Sequence, residues 1–234
     1  MLVILASRYD SEAQALANRW GDHDAHVLSC EDLSVAGWCN CLPDRGASAA
    51  VIGGRVISDG KITGVLTLLP CVMTQELVHI VPEDRAYVAA EMMAFLVSWL
   101  HGLSSPVLNR PTPVCLMGPN WRQEQWVHAA AQIGVPIHPI YRRSGLNTAL
   151  STEVAEVSPV TITVVGDRWF GEADGLLAKH ARRLAVTAGL DLLTVHFDGP
   201  DASARLLGAD LRPDASSPEI ADAILDTLRS RRGC

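Results

Sequence analysis

A histidine stands inside an apolar run near the C-terminus of this 234-residue chain. The run Leu192–Phe197 predicts a strand, and His196 is its polar member. An imidazole at such a position can act as a base or as a metal ligand. A hydrogen-bonded histidine within a folded core is the simpler interpretation, and we prefer it.

A second candidate is an anion site at the start of a helix. The sequence predicts a helix over 120–133 that is closed by Gly134. Free N–H groups at a helix N-terminus bind carboxylate or phosphate, and Arg110 and Arg122 would add positive charge. The simpler interpretation is that Asn120 caps the helix, Trp121 packs and Arg122 is solvated.

The cysteines offer a third possibility, at positions 30, 39, 41, 71, 115 and 234. Cys39 and Cys41 are close enough in sequence for a metal site or a redox pair. Zinc sites usually combine two such pairs, and no second pair is present. We therefore predict reduced thiols and no bound metal.

The bulk composition excludes several functions. A net charge of −7 argues against a surface that coats nucleic acid. The apolar start Met1–Leu5 lacks a basic region and a cleavage site, so it predicts a first strand and not a signal peptide. The apolar stretch Met92–Leu100 is too short to span a membrane and predicts a buried helix. We expect a cytoplasmic protein without a membrane partner.

The N-terminal pattern predicts a β-α-β unit. Strands are expected at Leu2–Ala6 and Ala25–Ser29, around a helix from Ser11 to Trp20 in which Ser11 and Gln14 form a capping box. The turn Ser7–Asp10 has no glycine-rich phosphate fingerprint, so a dinucleotide is not expected there.

Further elements follow from apolar periodicity and turn residues. Hairpins are predicted at Gly53–Gly54 and at Asp59–Gly60, and residues 142–158 read as a linker. The remaining predicted elements are a helix over 83–103, strands at 107–108, 160–165, 168–170, 192–197 and 204–207, a helix over 176–188, and a last helix that begins at Ser217.

Two stretches of this pattern resemble ATP-grasp ligases of the group that includes ribosomal-protein glutamate ligases and glutathione synthetase. In the first, the long helix precedes Pro106–Pro111, similar to the family strand that ends in Asn-x-Pro, and the next helix leads into Ala129–Pro136. In the second, Ile162–Phe170 resembles the family strand R-V-x-V-V-G-(D/N)-x-V-F, and Leu192–Phe197 and Leu206–Asp214 resemble its two metal-bearing strands.

The departures from the family pattern are as informative as the matches. The resemblance places a metal-binding aspartate where this chain has His196, a glutamate at Gly208 and an asparagine at Asp210. One carboxylate is a poor cage for Mg²⁺, which needs several oxygen ligands. Family members also carry a lid with phosphate-binding lysines, and the segment 142–158 that replaces it contains no lysine.

The resemblance therefore implies an α/β protein with a Rossmann-like, mainly parallel pre-ATP-grasp domain at 1–141. The linker 142–158 then replaces the ATP lid, and a truncated C-terminal ATP-grasp subdomain occupies 159–234. We predict a non-catalytic binding or assembly subunit that uses no cofactor and does not bind Mg·ATP. One alternative is a reduced carboxylate–amine ligase or transferase that uses a remodelled inter-domain cleft with residues such as Arg110, Arg122, His196 and Asp210. The other is a Rossmann-like small-molecule binder unrelated to ATP-grasp proteins.

Candidate residues follow from these hypotheses. Apolar surface at Trp169 and Phe170, or along the helix over 92–99, is expected to serve a homodimer or a complex with another protein subunit, since the lid that would cover apolar surface is absent. No catalytic residue is assigned. The ligand-binding candidates are Asn109, Arg110, Asn120, Trp121, Arg122, His196 and Asp210.

Overall fold

The computed structural model describes residues 1–41, 48–138 and 159–230. They form two compact units, Met1–Asn120 together with Asp214–Cys234, and Trp121–Pro213. The predicted linker 142–158 lies outside the described residues. In chain order the elements are β1 (Leu2–Leu5), α1 (Ser11–Arg19), β2 (Ala25–Leu28), β3 (Ala49–Ile52), β4 (Arg55–Ser58), β5 (Gly64–Thr67), α2 (Arg85–Gly102), β6 (Val107–Leu108), α3 (Gln123–Gln132), β7 (Val160–Val165), β8 (Arg168–Phe170), α4 (Gly175–Ala188), β9 (Leu192–Phe197), β10 (Leu206–Asp210) and α5 (Pro218–Ser230).

A four-stranded parallel sheet with the order β2-β1-β5-β6 forms the centre of the first unit. Leu2 pairs with Ala25 on one side and with Gly64 on the other. Every residue of β1 and β5 is buried, as expected for strands covered on both faces. The predicted α/β class with a mainly parallel, Rossmann-like sheet is confirmed.

The hairpin predictions had different outcomes. β3 and β4 pair in antiparallel register around Gly53 and Gly54, both at positive φ, so the first hairpin is confirmed. The prediction of a second hairpin at Asp59–Gly60 is wrong. Asp59–Lys61 is a short 3-10 helix, and β5 joins β1 and β6 in parallel. Because β5 is buried on both faces, its burial in the sheet outweighs the local turn signal.

The helices of the first unit pack through large apolar side chains. Trp99 of α2 is fully buried, and its indole N–H donates to both carboxylate oxygens of Asp59 at 3.2 and 3.3 Å. Burial raises the pKa of Asp59, and the bond from Trp99 opposes that rise. Helix α5 lies against β5, where a Cβ on Gly64 would come within 3.2 Å of the Leu228 side chain. A larger residue at position 64 would require the Leu228 side chain to shift by a few tenths of an ångström.

The second unit contains an antiparallel sheet with the order β10-β9-β7-β8. One face of this sheet packs against α3 and α4 through a separate apolar core, which includes Trp126, Leu177 and Phe197. Successive residues of a strand point to opposite faces, so the other face is formed by the alternate positions.

The bounds of the two units differ from the predicted division at residues 141 and 159. Helix α3 belongs to the second unit because Trp126 and Ala130 are part of that unit's core. Helix α5 belongs to the first unit because it packs on β5. Whether the units correspond to the pre-ATP-grasp and C-terminal ATP-grasp subdomains stays a prediction.

Two further predictions concern helix starts and membrane spans. Asp10, not Ser11, caps α1, because its carboxylate accepts the Ala13 N–H at 3.0 Å. The predicted start of the last helix is confirmed at Pro218. Among the described helices, none combines the length and the apolar character that a membrane crossing needs.

Candidate functional site

A row of polar side chains crosses the second sheet on the face that is not packed against α3 and α4. Thr161 of β7 lies directly opposite His196 of β9, and His196 lies opposite Gly208 of β10. Residues that are directly opposite share a face, so these positions form one line across three strands. On the other face, Ile162 and Val195 are fully buried in the core.

His196 bridges the neighbouring strands through both ring nitrogens. Its Nε2 lies 2.8 Å from Oδ2 of Asp210, and its Nδ1 lies 3.1 Å from the Thr161 hydroxyl. The neutral tautomer with its proton on Nε2 satisfies both contacts, since Nε2–H donates to Asp210 and Nδ1 accepts from Thr161. His196 is thus a hydrogen-bonded histidine, as preferred, but it lies on the polar face of its strand, half-buried, and not within the apolar core.

A β-bulge places Asp210 on this face. Leu206 lies opposite Phe197 and Gly208 lies opposite His196, so Leu207 is an extra residue on β10. The bulge turns Leu206 and Ala209 toward the apolar core, and Gly208 and Asp210 toward His196. The Gln123 side-chain amide donates to the Leu207 carbonyl at 3.0 Å and holds the bulge in place.

Both oxygens of the Asp210 carboxylate have protein partners. Oδ2 contacts His196, and Oδ1 accepts the Arg212 N–H at 2.9 Å. Gly208 contributes no side chain, and a Cβ built there meets nothing within 4 Å. Within the part of the chain that the structure describes, no three His, Cys, Asp or Glu side chains are grouped so that they could hold a metal ion.

The chemistry of the resulting Thr161–His196–Asp210 cluster is that of a hydroxyl, an imidazole and a carboxylate in hydrogen-bonded series. Such a series can move a proton from the hydroxyl to the imidazole while the carboxylate orients the ring. It is partly exposed: the side chains of His196 and Asp210 are 32% and 50% accessible to solvent.

The second predicted site, at the start of α3, differs from expectation. The helix begins at Gln123, and its N-cap is Arg122, whose N–H donates to the Gln125 side chain at 2.9 Å. Asn120 is exposed and is not the cap, because the chain turns into the helix two residues later than predicted. The expected packing of Trp121 on Trp126 is confirmed, with ring centroids 4.7 Å apart.

The remaining residues of that predicted site divide between the two units. Asn109 is buried at the end of β6 and Arg110 next to it is exposed; both belong to the first unit, together with Asn120. Trp121 and Arg122 belong to the second unit. The contacts that the structure describes therefore bring together His196 and Asp210 of the predicted set, while the anion site stays a prediction.

The two aromatic residues of the predicted apolar patch on the edge strand β8 do not lie on the same face of the sheet. Trp169 lies opposite Val164 and Phe170 lies opposite Thr163, so the two rings are on opposite faces of the sheet. Trp169 is 40% exposed, and Phe170 is half-buried. Contact of these rings with a partner stays a prediction.

Sequence reasoning did not identify two polar contacts of this unit. Thr161 received no role, although the alternation of Thr161 and Thr163 in β7 matches that of Thr194 and His196 in β9. His138 received no role either, yet its Nε2 lies 2.6 Å from Asp198, whose carboxylate also accepts the Arg205 N–H. The sequence separation of 60 residues between His138 and Asp198 leaves no local signal.

Comparisons with known proteins identify the fold. No protein-family model matches the sequence, and no curated protein matches it. The structure is similar to that of the macrocyclase MdnC from Microcystis aeruginosa MRC bound with the precursor peptide MdnA, at a TM-score of 0.68 and 12% identity over 98% of this chain and 99% of that one.

Two further solved structures show the same similarity. One is a RiPP-associated ATP-grasp ligase from Chryseobacterium gregarium in complex with ADP and a leader and core peptide, with a TM-score of 0.67 and 11% identity over 98% of this chain and 96% of that one. The other is a RimK domain protein ATP-grasp from Sphaerobacter thermophilus, with a TM-score of 0.51 and 12% identity over 97% of this chain and 98% of that one. The chain therefore has an ATP-grasp-like fold. The alternative of a Rossmann-like small-molecule binder stays a hypothesis.

Proposed function

We propose that this chain, which has an ATP-grasp-like fold, is a non-catalytic binding or assembly subunit of a peptide-modification pathway. The observation that carries the proposal is which residues occupy the positions where the resemblance places metal-binding residues. They hold His196, Gly208 and Asp210, and the imidazole and the carboxylate bind each other.

This arrangement opposes the use of Mg·ATP. Mg²⁺ requires near-octahedral oxygen coordination, and ATP-grasp catalysis requires the ion to neutralise the phosphates. Asp210 is the one carboxylate among the three positions and is paired with His196, which offers nitrogen and not oxygen, while Gly208 offers no side-chain ligand. Loss of even three charge-assisted contacts removes roughly 5–9 kcal/mol of binding energy, enough to weaken a micromolar site beyond the millimolar range.

Peptide modification is the context that the structural neighbours favour. Two of them are described with bound peptides, the macrocyclase with its precursor and the ligase with its leader and core peptide. We extend that context to this chain as a subunit that acts beside a complete ligase in the cytoplasm. Trp169 is the exposed aromatic residue that we assign to a homodimer or to contact with the ligase.

The test of the metal site is calorimetry with Mg·ATP on the intact chain. We expect no saturable heat up to millimolar nucleotide. Asp210→Asn is the matched control, because it removes the negative charge and keeps the side-chain size. A micromolar dissociation constant in the natural chain that Asp210→Asn abolishes would refute the non-catalytic proposal.

The test of the subunit role is recovery of the tagged chain from its own cells under native conditions. We expect a full-length ATP-grasp ligase to co-purify, and Trp169→Ala to reduce its recovery. The reference variant is Val186→Ala, since Val186 is also an exposed apolar residue of this unit. A chain that stays monomeric by light scattering at high concentration and recovers no ligase contradicts the proposal.

The Thr161–His196–Asp210 cluster supports a second candidate, a reduced ligase or transferase. In this candidate His196 takes the proton of the Thr161 hydroxyl as that oxygen attacks an activated acyl group. Incubation with p-nitrophenyl acetate would release nitrophenolate and leave an acetyl group on Thr161, detectable by peptide mass spectrometry. Thr161→Val keeps the side-chain shape and removes the hydroxyl. Equal release by both forms would eliminate this candidate.

A further inference from the structure

Two cysteine side chains of the first unit are in contact outside the site described above. The sulfur atoms of Cys39 and Cys41 lie 3.1 Å apart. Cys39 is exposed and Cys41 is half-buried, whereas Cys30 and Cys115 are buried. Among the described cysteines, this pair therefore combines mutual contact with access from solvent.

The backbone explains why the two thiols meet. Cys39 forms an antiparallel bridge with Ala49, in which each residue's N–H donates to the other's carbonyl, at 2.9 and 2.8 Å. The Cys41 N–H donates to the Ser48 hydroxyl at 2.9 Å. In an extended segment residues i and i+2 point to the same side, so both thiols project together.

The residue between the two cysteines is fixed as well. The Asn40 side-chain amide donates to the Ser98 hydroxyl of α2 at 3.1 Å. Next to the pair, Trp38 packs edge-on against Phe95 and Trp99 and donates its indole N–H to the Asp32 carbonyl at 2.7 Å. These contacts hold the Cys39–Asn40–Cys41 segment against the α2 side of the first unit and leave the sulfur atoms accessible.

We propose that Cys39 and Cys41 form a thiol–disulfide exchange site, which takes a disulfide-bearing small molecule or protein as its oxidant. The thiolate of Cys39 attacks one sulfur of the external disulfide, which forms a mixed disulfide and releases the first external thiol. Cys41 then attacks the Cys39 sulfur of the mixed disulfide, which forms the Cys39–Cys41 bond and releases the second external thiol. Both protein thiols are oxidised, the external disulfide is reduced to two thiols, and the two protons pass to those thiols.

The different environments of the two sulfur atoms assign their roles. Cys39 is the more exposed, so it meets the external disulfide first. Contact with Cys39 raises the pKa of the Cys41 thiol, and partial burial adds to this effect, so the Cys41 thiol resists ionisation. Thiolate is the reactive form, so Cys39 is the attacking residue and Cys41 the resolving residue.

The closed form also has a structural consequence. Two residues of extended chain span roughly 6.6 Å between Cα atoms, near the upper end of the range that a disulfide bridges. Closing the bond therefore pulls Cys41 toward Cys39 and strains the Cys41–Ser48 hydrogen bond. Such a disulfide is readily reduced, as a reversible modification requires.

The experiment uses the full reduced chain and oxidised glutathione at mildly alkaline pH, followed by intact-mass measurement and peptide mapping. We expect the natural chain to lose two hydrogen atoms, with the bond mapped to Cys39 and Cys41. Cys41→Ser should stop at a glutathione adduct on Cys39, and Cys39→Ser should lose exchange at this segment. The reference variant Cys71→Ser should behave as the natural chain does.

A second measurement does not depend on disulfide formation. Phenylarsine oxide bridges paired thiols, so the natural chain should bind one equivalent at this segment that dithiothreitol removes, and each single serine variant should lose that binding. A natural chain that stays reduced, that stops at a glutathione adduct, or that binds no arsenical at this segment overturns the proposal.

Discussion

The two sheets of this molecule use their faces differently. In the first unit, β1 is apolar throughout and buried on both faces. In the second unit, β9 alternates between core residues such as Leu193 and polar residues such as Thr194 and His196. The first sheet has no polar position along β1 at which chemistry could be placed, whereas the second sheet places a hydrogen-bonded polar row over an apolar core.

The polar face of the second sheet also contains buried hydroxyl groups. Thr163 and Thr194 are almost fully buried, and their hydroxyls lie 3.4 Å apart on adjacent strands. Thr194 also donates to the Arg212 carbonyl at 3.0 Å. Since buried polar groups are costly only without a partner, this face remains stable while it presents His196 and Asp210.

The largest expected effect concerns adjacent residues of β1. Ile4→Ala and Leu5→Ala should each destabilise the protein by about 2–5 kcal/mol, because both faces of the strand are packed. Both side chains are fully buried. Urea unfolding measures the two free energies. A small loss for either residue would mean that one face of the first sheet is not packed.

Alanine substitutions on the two faces of β9 should cause unequal losses of stability. Leu193→Ala should cost about 2–5 kcal/mol of stability, because it opens a cavity in the core under the sheet. His196→Ala should change the urea midpoint far less, because its partly exposed ring contacts hydroxyl and carboxylate groups that water can serve instead. Equal losses would show that the polar row is a structural element in the same way as the core.

The glycine that follows β8 lies very close to the backbone of β7, the strand with which β8 pairs. Gly171 has φ +136°, and a Cβ there would lie 2.3 Å from the Thr161 carbonyl oxygen. Gly171→Ala should therefore destabilise the protein by about 1–3 kcal/mol, measured by thermal unfolding.

Gly175, the first residue of α4, is the matched control for Gly171. A Cβ at Gly175 meets nothing within 4 Å, and its φ lies outside the left-handed region. Gly175→Ala should be neutral or stabilising by about 0.4–1 kcal/mol, because it reduces the entropy of the unfolded chain. A Gly171→Ala protein as stable as the control would contradict the close approach at Thr161.

The smallest effect is a pH dependence in the core below the second sheet. His180 of α4 is buried, and its Nδ1 has no hydrogen-bond partner. Burial lowers its pKa, and the nearby Arg183 lowers it further. Below about pH 6.5 the unfolded chain binds a proton that the folded chain does not, so this residue causes stability to fall as the pH falls.

Replacement of this histidine tests the effect directly. His180→Leu should reduce the stability difference between about pH 7.5 and pH 5.5 by at most about 1.4 kcal/mol in total, the limit for a single proton with an unfolded-state pKa of about 6.5. Parallel urea titrations at both pH values of the natural chain and of His180→Leu give the comparison. Identical pH dependence in the two proteins would refute it.

Much of the fold could be read from local patterns. The strand Leu2–Leu5 is a continuous apolar run, Leu192–Phe197 is a mainly apolar run, and α4 is closed by Gly189, which has the positive φ typical of a helix C-terminus. The resemblance to ATP-grasp proteins rested on the order of such elements, and the structural similarity confirms the fold. The partner strand predicted at 204–207 lies a few residues later, as β10 at Leu206–Asp210.

Features that depend on pairing between distant segments could not be predicted in the same way. The second hairpin was wrong because β5 pairs with β1, about which the Asp59–Gly60 turn carries no information. The bulge at Leu207 changes which residues of β10 face His196, and a one-residue shift of register is not visible in one strand alone. The contact between Thr161 and His196 could not be predicted either, because it depends on the register between β7 and β9.

The sequence by itself determined the α/β class, the element order, and the presence of histidine and glycine where the resemblance expects acids. These depend on residue type and on periodicity within one segment, which local steric preference and burial translate directly into helices and strands. Only the tertiary structure decided that His196 contacts Asp210 and Thr161, that Trp169 and Phe170 face opposite sides, and that α5 belongs with the first unit. The reason is that strand register and helix packing depend on interactions between segments that are far apart in the chain. The sequence of one segment alone therefore does not determine them.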